Sequence, residues 1–223
     1  MRAALTGDVD VNARNDDNGW TVLMVAAALD HLDVVAELLA QAGLDVNARG
    51  EDGRTALHVA AERGNDRVVA LLASHPGIDP NLKDDLGRTA LALAAFDGSA
   101  GTVAQLLAGP AVDPNLVDRD RQTALHWAAL GGHADAVRAL LADERTNPGI
   151  TSQPDRLTAR DVASAAGRDE VAAVLEERMR TDPGTDELSS GDAPPPKPDE
   201  RPPFYEKPSV PETPGLRERR PET

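Results

Sequence analysis

A segment opening on threonine recurs along the chain at a fixed spacing. It reads "TVLMVAA" from Thr21, "TALHVAA" from Thr55, "TALALAA" from Thr89 and "TALHWAA" from Thr123, each 34 residues after the last. A weaker copy, "TARDVAS", begins at Thr158 after 35. Nine residues beyond each threonine stand Asp30, Gly64, Gly98, Gly132 and Gly167. A second apolar segment follows, such as "VVAELL" at 34–39 or "VVALLA" at 68–73, and then a turn-rich "DVN", "DPN" or "NPG". Self-similarity at such a period means a stack of supersecondary units, none able to bury its apolar face alone.

Each unit reads physically as helix, tight turn, helix and projecting loop. Threonine is a good N-cap, its hydroxyl accepting from an amide of the first turn. Glycine at the end of the short first helix supplies left-handed backbone, which Asp30 also tolerates. Val34, Val35, Leu38 and Leu39 make the apolar stripe of a second helix, and the Asp, Pro, Asn and Gly that follow supply a turn. Apolar residues form 40% of the chain but aromatics only 2%, so the core is Ala, Leu and Val, suited to close-stacked helices.

These residues resemble the ankyrin repeat family, most fully in "EDGRTALHVAAERGN" and "DDLGRTALALAAFDG". The resemblance covers about residues 10 to 180. It implies an all-α solenoid: a partial repeat at 1–14, full repeats at 16–49, 50–83, 84–117 and 118–152, and a C-terminal cap at 153–180. The cap has Arg160 where its sisters carry leucine and ends in the charged "LEERMR", as a terminal unit requires. The short opening unit predicts an exposed N-terminal edge. Two departures stand out. The proline that follows threonine in the family is Val22, Ala56, Ala90, Ala124 or Ala159, and the turn glycine kept at Gly19, Gly53 and Gly87 becomes Arg121 and Arg156. The last two loops are therefore expected to leave the family's hairpin shape.

The family resemblance also assigns roles to particular side chains. His58 and His126 share one slot and would bond the neighbouring hairpin backbone, with Met24, Ala92 and Asp161 filling it elsewhere. His133 follows the helix-ending Gly132 and lies on a different helix from His126, so the two do not pair on one face. The concave surface formed by hairpin tips and first helices is the expected binding groove. The register places there Asp52, Arg54, Leu86, Arg88, Arg119 and Gln122 at the tips, and Leu29, Glu62, Arg63, Phe96, Asp97 and Leu130 along the helices. Trp20 stands at the tip position of Arg54, Arg88 and Gln122. Exposed Trp20 and Phe96 among arginines would form an interface hot spot. Trp127 either joins them or packs inward in place of Val59 and Leu93.

Chemistry of other kinds finds little support. There is no Cys, hence no disulfide, thiolate metal site or cysteine nucleophile. No His/Asp/Glu cluster has metal-ligand spacing, and no G-x-S-x-G or phosphate-cradling loop occurs, so neither a metal nor a cofactor is expected. An enzyme reading survives only as acid–base groups along the groove, from Glu62, Asp97 and Asp120. The net charge of −15 opposes binding to nucleic acid and permits a basic protein partner. No apolar run is long enough to cross a membrane, and the N-terminus lacks a signal pattern, so a soluble monomer of the cytoplasm or nucleus is expected.

From Thr181 to Thr223 the composition changes. Eleven of these 43 residues are proline and apolar periodicity vanishes, which predicts a disordered tail. It contains "PPFY", in which Pro202, Pro203 and Tyr205 match the Pro-Pro-x-Tyr pattern that WW domains read through a polyproline groove. A solvated linker carrying that match by chance is the competing reading.

Overall fold

The computed structural model describes residues 10–181. The chain divides into the units Met1–Ala193 and Pro194–Thr223, and every described residue falls in the first. The predicted disorder of the tail and its Pro202–Tyr205 motif lie outside the described residues, as do residues 1–9 of the opening unit.

Among the described residues there are ten helices, in the pairs the repeat predicts. They are α1 (Val22–Ala28) with α2 (Leu32–Leu39), α3 (Ala56–Glu62) with α4 (Asp66–Ala73), and α5 (Ala90–Asp97) with α6 (Ala100–Leu107). Then follow α7 (Ala124–Gly131) with α8 (Ala134–Leu141), and α9 (Ala159–Ala165) with α10 (Asp169–Thr181). First helices stack in the row α1, α3, α5, α7, α9, and second helices in the row α2, α4, α6, α8, α10.

Each first helix starts where threonine predicts. Thr21, Thr89, Thr123 and Thr158 accept the amides of Met24, Ala92, His126 and Asp161. Helix α5 ends at Gly98 with φ +83°, and a Cβ there would lie 2.5 Å from the His133 ring, so side chain and backbone both demand glycine. Where α1 ends, Asp30 takes φ +56°. The leucines of the threonine segments, Leu23, Leu57, Leu91 and Leu125, are wholly buried between the rows. Burial of one such side chain contributes about 2 kcal/mol, while Arg160 in the cap faces solvent.

The repeats are also tied by polar bonds. The asparagine of each "DVN" or "DPN" donates to a carbonyl of the next loop, as Asn47 does to Gly77 and Asn81 to Ala111, at 2.8 and 2.7 Å. Its oxygen accepts the amide of the following Asp79 or Asp113, at 3.0 and 2.9 Å. Asn12 and Asn115 do likewise, giving a ladder along one side of the stack. A motif read from sequence only as a turn thus carries the contacts between turns.

The expected departure from the hairpin shape fails at Arg121 and holds only for the longer loop at Arg156. Arg121 adopts φ +56°, the left-handed conformation of the glycine it replaces. Asp118 N–H donates to Gln122 O and Arg121 N–H to Asp118 O, at 3.0 and 3.2 Å, matching Asp84 with Arg88 and Gly87 with Asp84 at 2.9 Å each. The hairpin bonds hold the residue in place although its side chain disfavours the conformation. Arg156 also sits at φ +55°, in a loop one residue longer, closed by Ser152 N–H to Leu157 O at 2.9 Å.

The N-terminal edge is apolar and open. Val22, Val25 and Val34 are 52, 39 and 41% exposed. Their counterparts Ala56, Val59 and Val68 are covered by the preceding pair and are buried.

Candidate functional site

The tip residues divide into two sets. Asp52, Leu86 and Arg119 are exposed, as are Leu29, Arg63 and Asp97 along the helices. Arg54, Arg88 and Gln122 are buried, contrary to the reading of these positions as exposed tips. The Arg88 side chain lies across its own hairpin rather than pointing away from it. Arg88 places Nε and Nη2 on Asp84 Oδ2 at 2.9 and 2.7 Å. Arg54 donates to Glu62 at 2.8 Å and brings Nε to 4.0 Å from the same Asp84 oxygen. Sequence alone marks both arginines as surface; the buried Asp84 draws them inward, from the next repeat for Arg54 and from its own hairpin for Arg88.

Trp20, Phe96 and Trp127 are half-buried. Trp20 packs on the core and is half-buried rather than exposed, its ring so near Gly50 that an added Cβ there would lie 3.0 Å from it. Phe96 and Trp127 meet edge to face, centroids 5.3 Å apart and planes at 87°. Both readings of Trp127 apply to different parts of it: it packs against the core and keeps part of its ring accessible. Its Nε1–H donates to Asp118 Oδ2 at 3.0 Å. Burial pushes the Asp118 carboxyl above its ordinary pKa, although the amides of Gln122 and Asp120 and the indole of Trp127 oppose that shift. Leu130 is half-buried beyond them.

The histidines are structural. His58 Nδ1 accepts the Thr55 amide at 3.2 Å, which leaves the proton on Nε2, 3.1 Å from the Arg88 carbonyl. His126 repeats this with Thr123 at 3.2 Å and Leu157 at 3.0 Å. His133 Nε2 lies 3.0 Å from the Phe96 carbonyl, from the N-cap of α8. Each imidazole therefore bonds the backbone of an adjacent repeat. Burial lowers the pKa of His58 to about 4 and that of His126 in the same direction.

The three carboxylates considered for acid–base work have different partners. Glu62 pairs with Arg54, Asp97 accepts from Ser99 Oγ at 2.9 Å, and Asp120 is exposed. Among the described residues no group of His, Asp and Glu could hold a metal ion, and no helix is long and apolar enough to cross a membrane.

Fold and surface together define an α-solenoid repeat protein whose side-chain bonds connect neighbouring repeats. A family model described as ankyrin repeats in three copies matches residues 1–84 and 91–185, well over half of the sequence. The chain belongs to the ankyrin repeat family. It is thereby a protein–protein interaction module, of a family whose members are generally non-catalytic scaffolds. No curated protein matches the chain.

Proposed function

We propose that the chain is a non-catalytic scaffold that holds a protein partner on the face bearing the hairpins and first helices. The observation behind this reading is the Phe96–Trp127 pair, partly accessible, with exposed Leu86 and Arg119 on the adjoining hairpins. Large rings next to exposed aliphatic and arginine side chains have the composition of an interface hot spot. The stack is held by buried leucines and by the histidine and asparagine bonds, so little ordering cost remains to be met on binding. An excess of acidic residues, with a net charge of −15, favours a basic partner. The working form is a monomer in the cytoplasm or nucleus.

Affinity capture with the full chain and with Phe96→Ala/Leu86→Ser tests this. The double variant should lose the captured partner while keeping its far-ultraviolet circular dichroism. Equal capture by both would overturn the groove reading. A second reading has WW-type domains recruited by Pro202, Pro203 and Tyr205, on the sequence match alone. Truncation after Arg180 separates the two, because groove binding survives it and tail binding does not.

A further inference from the structure

We propose that Asp118, Trp127 and Phe96 form a seat for an arginine side chain of the bound protein. The inference rests on the groove reading and assigns the chemistry of one contact within it.

Two hairpins at the same register differ in how their aspartate is held. In the first, Asp84 Oδ1 accepts the amides of Leu86 and Arg88 at 2.9 and 2.8 Å. Its Oδ2 is held by the Arg88 guanidinium, with that of Arg54 close by. In the second, Asp118 Oδ1 accepts the amides of Asp120 and Gln122 at 2.9 and 2.8 Å, the same cradle to within 0.1 Å. The position that supplied Arg88 now carries Gln122, and no ion pair among the described residues includes Asp118. Its Oδ2 accepts from the neutral Trp127 indole instead.

Two changes in the repeat therefore coincide. Arginine becomes glutamine before the threonine, and the aliphatic slot of Val59 and Leu93 becomes Trp127. The indole N–H preserves a donor to the carboxylate but brings no positive charge. Burial disfavours the ionised carboxylate, which a cation would relieve. The partly accessible rings of Trp127 and Phe96 supply a surface on which a planar guanidinium stacks while bonding a carboxylate. A guanidinium on Asp84 within the same protein shows that this cradle accepts one.

The chain has two tryptophans, so its indole N–H spectrum has two side-chain signals, assigned with Trp20→Phe. The probe is the peptide acetyl-Gly-Ala-Arg-Ala-Gly-amide, with versions carrying lysine or neutral citrulline. The arginine peptide should move the Trp127 signal saturably, lysine should bind more weakly, and citrulline should leave the signal in place. Asp118→Asn should weaken binding about tenfold, the equivalent of about 1.4 kcal/mol for one charge-assisted contact. Gln122→Arg supplies a guanidinium from within and should weaken it likewise, without removing any group that contacts the peptide. Equal shifts with citrulline, equal binding by lysine, or undiminished binding by both variants would overturn the assignment. A Trp127 signal unmoved by all three peptides, with capture still lost in Phe96→Ala/Leu86→Ser, overturns the arginine seat alone. If that capture is also undiminished, the groove reading fails too.

Discussion

His58 is buried with its Nδ1 accepting a backbone amide, so protonation would break that bond and place a charge in the core. Its pKa falls from 6.5 to about 4. Above pH 6.5 neither folded nor unfolded His58 carries the proton and the group leaves stability unchanged. Below 6.5 the unfolded chain takes up a proton that the folded chain refuses, so stability falls with pH until about 4. The shift corresponds to roughly 3 kcal/mol at full effect. His126 is displaced in the same direction for the same reason. Urea unfolding between pH 7 and 4.5 should show this loss, and His58→Gln should flatten the slope. An unchanged slope would mean that the imidazole is not held neutral by the fold.

At the level of the element, the hairpins show how much a repeat can absorb. Gly87 permits no substitute cheaply, since a Cβ would meet the Arg119 amide at 3.0 Å. Arg121 occupies the same turn position one repeat later and still takes φ +56°. Left-handed backbone costs a non-glycine residue about 1–2 kcal/mol, against which glycine loses about 0.5–1 kcal/mol of chain entropy. Arg121→Gly should therefore raise the unfolding free energy by roughly 0.5–1 kcal/mol, read as a higher urea midpoint. A lower midpoint would show that the arginine contributes more than its backbone costs. Elements like these were largely legible in sequence, because capping threonines, helix-ending glycines and buried leucines act within a few residues of themselves. What escaped are the contacts one repeat apart. Asn81 reads as a turn former until its partners 30 and 32 residues on are seen, and Arg54 reads as surface until Asp84 of the next repeat is placed beside it. The hairpin at Arg121 escaped for the converse reason: its own bonds outweigh the preference of the residue.

Across the described molecule, polar and apolar ties run between successive pairs, and the two edges are unlike. The last pair ends in a long charged α10, with Val171 and Leu175 buried on one side. The first pair presents Val22, Val25 and Val34 unburied. Between these edges lies the face that carries Phe96, Trp127 and Asp118. Hydrogen exchange on the full chain, with and without its captured partner, tests whether this face is the partner surface. Added protection in α5, α7 and the hairpins at 84–88 and 118–122 is the predicted result. Protection confined to residues 182–223, with those helices and hairpins unchanged, would contradict it.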